Sequence, residues 1–233
     1  MLNADSLLRL IRERMDHPAT PREMQQRLKI PRDERGTLSK LLKDLTRRGD
    51  LVETRGNRFG LPDRMNLVVG KITIHPRGFG FVSVPKTPAG SDGDGMKGDL
   101  YIAGSNLNQA MHGDRLVARI ERVGSDGRAE GRILRILERG ASTIVGRFEL
   151  DASGDGFVVP FDRRLVMDVE IPHGEEGGAE PSDMVLLDIT RWPTSTRGPM
   201  GRVSEVLGGV DEPGVDTEII IRKHGIPDEH SQE

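Results

Sequence analysis

The feature that most limits what this chain can fold into is an internal repeat. VVGKITIHPRGFGFV at 68–82 is matched by IVGRFELDASGDGFV at 144–158, an offset of 76. DLYI at 99–102 answers to DVEI at 168–171, GDRLVARI at 113–120 to SDMVLLDI at 182–189, and GRILRIL at 131–137 to GRVSEVL at 201–207. Four blocks in the same order, with offsets between 69 and 76, require one unit made twice. The hydrophobic period in these blocks is close to two, and Gly, Pro and Asp clusters separate them. Short antiparallel strands of a small barrel or sandwich produce this pattern. Two copies with unequal loops predict tandem barrels, not a solenoid. Between the second and third runs of the first copy, KTPAGSDGDGMKG at 86–98 reads as a flexible loop.

Ahead of the repeat the period changes to that of helices. Leu7, Leu8, Leu10, Ile11 and Met15 follow helical spacing and stop before Pro18. Thr20-Pro21-Arg22-Glu23 is a capping box with Pro at the first helical position, so a second helix starts there and ends before Pro31. A third, from Asp33 to Arg48, carries Leu38, Leu41, Leu42 and Leu45 on one face and stops at Gly49. LVETRGNRFGL then reads as two short strands turning at Arg55-Gly56-Asn57. Three helices and a two-stranded wing make the order of a winged helix-turn-helix, a shape that contacts nucleic acid through its third helix and wing. Lys40, Lys43, Arg47, Arg48, Arg55 and Arg58 lie on those two elements. The expected architecture is thus an α+β multidomain chain. It has a winged helix-turn-helix at 1–62, OB-fold barrels at 63–140 and 141–210, and a tail at 211–233 expected to be poorly ordered alone.

Charge divides along the same lines. Residues 1–62 carry 14 Lys and Arg against 9 Asp and Glu, a net of +5; residues 63–140 carry 12 against 9, a net of +3. Residues 141–233 carry 8 against 19, a net of −11. A basic first part points to a polyanionic partner, although charge alone also describes ordinary solvated faces. There are no cysteines, which excludes disulfides and thiolate sites, and no 18-residue apolar window, which excludes a helical membrane span. The N-terminus has no signal-peptide pattern, so a soluble, cytoplasmic chain is expected.

Only eight aromatic residues are present, so their placement carries information: one Trp, one Tyr and six Phe. In Arg77-Gly78-Phe79-Gly80-Phe81-Val82 the two rings are two residues apart, on one face if the segment is a strand. Flanking glycines leave that face open, and Tyr101 on the following strand can join it. Three rings beside Lys71, Arg77 and Arg115 would stack nucleobases while cations hold phosphates. The competing expectation is that Phe79 and Phe81 are core residues, because sequence does not set the strand's phase. In the second copy Phe157 matches Phe81, but Asp155 and Glu170 replace Phe79 and Tyr101, so that copy is expected to bind bases poorly there.

RGFGFV with DLYI resembles the paired RNA-binding motifs of a cold-shock domain, an OB-fold barrel. The longer series runs VGK, HPRGFGFV, DLYI, MHGDRLVARI, AEGRILRILERG, VGRFE, GFVVPFDRR, PMGRVSEVLG at 199–208 and EIIIRKHGIP at 218–227. It is similar in order and wording to the N-terminal half of the bacterial ribonuclease R family, and less so to ribonuclease II. The resemblance implies an RNA-binding region, mainly for single strands, of a processive 3′→5′ exoribonuclease, with structured RNA or the ribosome as further partners. It also implies a catalytic domain whose aspartates hold Mg²⁺. Those aspartates are expected beyond Glu233, since the nearest carboxylates here, Asp92 and Asp94, lie in the flexible loop. This chain alone is therefore expected to be a monomer without a cofactor and without nuclease activity. The alternative is a stand-alone cold-shock-type RNA chaperone.

Other motifs fail on context. Gly93 to Gly98 has G-x-G-x-x-G spacing but follows no strand and opens no helix. Asp92-Gly93-Asp94-Gly95 lacks the later oxygen ligands of a calcium loop. The histidines show no metal spacing. His112 in MHGD is read as a turn residue or RNA contact ahead of a catalytic base, with a structural role ahead of either, and Trp192 as a packing residue ahead of an exposed stacking ring.

Overall fold

The structure is a computed structural model describing residues 2–83 and 98–209, together with 215, 219, 220 and 222. Asp92, Asp94 and the rest of the 84–97 stretch lie outside the described residues, as does most of 211–233. Residues cluster into two compact units. One holds Met1–Thr73, Gly80–Asn108 and Asp114–Glu138; the other holds Ile74–Phe79, Gln109–Gly113 and Arg139–Glu233.

The first unit opens with helices α1 (Ala4–Arg14), α2 (Pro21–Arg27) and α3 (Arg35–Arg48), the last preceded by a 3₁₀ turn over Arg32–Glu34. Asn3 caps α1 and Thr20 caps α2, each in a reciprocal capping box. Leu7, Ile11, Met24, Leu38, Leu42 and Leu45 fall on inward helix faces and form a core closed by Leu51, Phe59 and Leu61. Arg64 donates to the Arg12 and Met15 carbonyl oxygens and so satisfies the end of α1. Strands β1 (Val52–Thr54) and β2 (Arg58–Gly60) pair antiparallel, and Gly56 and Asn57 take the positive φ that so tight a turn needs.

The same unit continues into a closed five-stranded barrel. Its strands are β3 (Leu67–Ile74), β4 (Gly80–Ser83), β5 (Leu100–Ile102), β6 (Arg115–Val123) and β7 (Ala129–Glu138), in the order β3-β4-β5-β7-β6. Burial alternates along them: Ile72, Ile74, Val82, Leu100 and Ile102 point inward, whereas Lys71, Phe81 and Ser83 are exposed. The β1–β2 hairpin joins this barrel through an apolar cluster of Val52, Leu67 and Val117, with Met65, Val69 and Leu137 packed on it.

The second unit carries β8 (Thr143–Leu150), β9 (Gly156–Pro160), β10 (Val169–Ile171), β11 (Asp183–Arg191) and β12 (Met200–Gly209). They close in the equivalent order around Phe148, Val158, Val169, Ile171, Val185 and Leu187. The repeat read from the sequence extends to fine detail. Pairing of β6 with β7 slips at Arg115/Leu116, Val117/Ala118 and Ile120/Arg122. That of β11 with β12 slips at Met184/Val185, Leu186/Leu187 and Ile189/Arg191, each 69 residues later. A Cβ at Gly70 would overlap the Ser83 carbonyl oxygen, and one at Gly146 would sit 2.5 Å from that of Val159.

Part of 211–233 differs from the expected disordered tail. Val215 and Ile219 are helical and bury against Val145 and Met184, while Arg222 clasps the Glu205 carboxylate at 3.0 and 3.1 Å. The apolar face of the acidic second barrel explains this, because it gives the segment something to fold on. Among the described residues, no helix is long and apolar enough to cross a membrane.

Replacing Gly70 or Gly146 by Ala is expected to destabilise the protein by at least about 2 kcal/mol, since a backbone carbonyl cannot yield. Gly36→Ala, in an exposed helical position with open space around it, should instead stabilise by about 0.5–1 kcal/mol. Urea unfolding of the three variants checks both signs.

Candidate nucleic-acid interface

On β4 the inward positions are Gly80 and Val82, so Phe81 stands outward and is 39% exposed. Its partner across the β4–β5 pairing is Tyr101. The two rings meet edge to face, with centroids 5.7 Å apart and planes at 61°. Together with Asp99, Arg128 and Ala129 they line an open cleft of about 430 Å³. Arg128 sits beside the Gly124–Gly127 turn joining β6 to β7; its guanidinium lies 3.5 Å from Asp126 and is 88% exposed. Lys71 projects from the outer face of β3, the strand neighbouring β4. The core reading of Phe81 thus fails because the strand's inward phase is taken by Gly80 and Val82.

Phe79, Arg77 and His112 fall in the other compact unit. Phe79 precedes β4 in a tight turn, where His75 N–H donates to the Phe79 carbonyl and Gly78 N–H to that of His75. The Phe79 ring is half-buried and stacks on His75 at 4.5 Å, with planes 8° apart. Arg77 is exposed, and its backbone N–H donates to His75 Nδ1. His112 Nδ1 accepts from the Ile74 backbone N–H, which gives that imidazole a structural task. Trp192 packs against the second barrel's core under Arg139, 4.6 Å from the ring centroid.

Arg115 has a different job from the phosphate contact expected of it. Its guanidinium donates to the Arg48 carbonyl oxygen at the end of α3, holding the helical part on the barrel. On α3, Lys40, Lys43 and Arg47 share one exposed face and, among the described residues, make no ion pair. Arg55 at the hairpin turn is likewise exposed. Arg48 pairs with Asp44 at 2.8 Å, and Arg58 grips both Glu23 oxygens while donating to the Pro18 carbonyl. These last two are engaged within the helical part.

In the second unit Phe157 lies opposite Glu170, the place of the Phe81–Tyr101 pair. The turn before it repeats too: Asp151 N–H donates to the Asp155 carbonyl, so aspartates stand where His75 and Phe79 stack. Among the described residues, no group of three or more His, Cys, Asp or Glu is arranged to hold a metal.

Three contributors escaped the sequence reading. His75 carried a usable signal, since a tight turn over Pro76-Arg77-Gly78 sets residues 75 and 79 face to face. Asp99 stood in the DLYI block, but its place beside the rings follows only once β5 is in register. Arg128 reaches the cleft through barrel closure, for which no local pattern exists.

A duplicated small barrel with an open aromatic face on its first copy defines a tandem OB-barrel protein. Residues 70–136 match the family described as "Ribonuclease B OB domain", and residues 157–231 that described as "Cold shock domain". Ribonuclease R of Acidithiobacillus ferrooxidans is 36% identical over 214 residues, covering 90% of this chain and 46% of the relative. That of Escherichia coli K12 is 36% identical over 213 residues, covering 91% and 25%. The chain is homologous to ribonuclease R over nine-tenths of its length, and spans between a quarter and a half of these relatives. The same fold occurs in RNase R of Mycoplasma genitalium in complex with ribose-methylated single-stranded RNA, at a TM-score of 0.58 and 18% identity. That match covers 69% of this chain and 24% of that one. It also occurs in yeast Ssd1, a pseudonuclease, at a TM-score of 0.54 and 18% identity, covering 67% and 25%.

The Glu23–Arg58 clasp gives the helical part an acid sensitivity. The Thr20 backbone N–H above all, then the Thr20 hydroxyl and Arg58, hold the Glu23 carboxyl below its ordinary pKa against a smaller opposing effect of desolvation. A carboxyl depressed by folding adds stability above its unfolded pKa, and that stability is lost as pH falls through the folded value. Thermal melts from neutral pH into the acid range should show wild type losing more stability than Glu23→Gln. Parallel curves for the two proteins would contradict this.

Proposed function

We propose that this chain is the RNA-capturing part of a ribonuclease R-type 3′→5′ exoribonuclease. The observation that carries the reading is the outward Phe81–Tyr101 pair lining an open cleft with Arg128. Outward rings on a small barrel offer a flat apolar surface on which a single-stranded base can stack. Homology to ribonuclease R supports RNA over other flat ligands. In this scheme residues 1–62 form a winged helix-turn-helix whose Lys40, Lys43, Arg47 and Arg55 meet RNA phosphates. Residues 63–140 and 141–210 form the two barrels, and residues 211–233 lead onward. Lys71 and Arg77 add phosphate contacts, and Phe79 with His75 supplies a further ring surface. The acidic second barrel acts as a spacer or wall. The protein works in the cytoplasm, and the Mg²⁺ of such an enzyme belongs with its catalytic part; no residue of this chain is assigned to it.

Fluorescence anisotropy with a labelled single-stranded RNA and a matched DNA duplex, across a salt series, tests this. Binding to the single strand should persist at high salt, because stacking survives when ionic contacts are screened. Phe81→Ala and Tyr101→Ala should each weaken it by about 1–3 kcal/mol while circular dichroism stays unchanged. Unaltered affinity in both folded variants would take the function away from the first barrel's aromatic face. Preference for the duplex would move it to α3 and the hairpin.

A further inference from the structure

The cleft on the first barrel contains a carboxylate that general RNA capture leaves unexplained. Asp99 immediately precedes β5, and Tyr101 lies two residues further on, within the strand. Both line the cleft with Phe81 and Arg128. Asp99 is exposed and, among the described residues, makes no ion pair. A bare negative charge beside a stacking ring repels the phosphates of any bound strand, so it weakens sequence-independent capture. It becomes favourable only when the base on the ring offers it hydrogen-bond donors.

We propose that Asp99 makes this cleft a guanine-selective subsite, an inference resting on the RNA-capture reading above. The guanine Watson–Crick edge presents N1–H and an N2 amino hydrogen side by side, and a carboxylate accepts both with its two oxygens. Cytosine and adenine each offer one amino donor next to a ring nitrogen lone pair, which faces the carboxylate unfavourably. Uracil offers one N–H between two carbonyl oxygens. The ranking therefore has guanine first and uracil last. Arg128, exposed at the cleft's rim beside Asp126, takes a neighbouring phosphate and offsets the Asp99 charge. The second barrel supplies an internal control. Asp168 stands at the repeat position of Asp99, but Glu170 occupies the place of the Tyr101 ring, which leaves carboxylates without the paired stacking surface.

Anisotropy titrations would compare a labelled oligouridine with the same strand carrying one central guanosine, cytidine or adenosine. Wild type should bind the guanosine strand about tenfold more tightly than oligouridine. Asp99→Ala and the near-isosteric Asp99→Asn should bring that ratio close to one, whereas Asp168→Ala should leave it intact. An unchanged ratio in both Asp99 variants would overturn the proposal. So would an equal rise in affinity for all four strands, which would make Asp99 a repelling charge and nothing more. Tightest binding to cytidine or adenosine would overturn the choice of guanine. If wild type bound none of the strands, the RNA-capture reading itself would fall, an outcome distinct from base-independent binding.

Discussion

The close approach of strands across a small closed barrel is the constraint on which the rest depends. Five strands can curl shut only where neighbouring backbones come nearer than side chains allow, and glycines mark those places. Gly70 lies against the Ser83 carbonyl and Gly131 against that of Arg119; Gly146 and Gly201 repeat this against Val159 and Asp188. Closure sets which way every strand residue points. With Gly80 and Val82 turned in, Phe81 has nowhere to go but out. Pairing with β5 then brings Tyr101 beside it, and pairing with β7 brings the turn bearing Arg128. The aromatic cleft is thus a product of closure more than of any local motif.

Comparison of the two copies separates scaffold from chemistry. The three pairing slips, the glycine contacts and the turn before the fourth and ninth strands are all kept, since each is needed to bend and shut a barrel. Core positions exchange one apolar side chain for another, as Ile72 does for Phe148, whereas the outer faces change in chemical character. Tyr101 gives way to Glu170, Phe79 to Asp155, and the later segment as a whole turns acidic. An aromatic outer face and an acidic one therefore rest on the same backbone.

Attachment of the helices to the first barrel follows a different logic. The carbonyls at the end of α3 need partners, and Arg115 from β6 supplies one while Val52, Val69, Val117 and Leu137 exclude water nearby. Gly49, in the left-handed region at the cap, leaves room for Val69 and Leu137 to close in. Arg115 is thereby drawn into holding the unit together. In the sequence it is one more cation on a basic strand, indistinguishable from Lys71, because nothing local says which cation will meet a helix end.

Period, caps and turn residues were enough to determine the three helices, the hairpin, the duplicated strands and the acidic turn of the later segment, because each depends on neighbours within a few positions or on self-similarity. The capping box at Thr20 and Glu23 and the turn at Gly56-Asn57 are where local chemistry leaves little choice. The phase of β4 was beyond its reach: GFGFV allows either face to be wet, and only the barrel's interior, filled by Ile72, Val82, Leu100 and Ile102, chose. The same holds for the burial of Val215 and Ile219 on the second barrel, for the clasping of Arg58 by Glu23, and for the lining of one cleft by Asp99 and Arg128. Each of these joins residues far apart in the chain, and contacts of that kind are decided by how helices, strands and turns are brought together in space, for which a linear pattern holds no record.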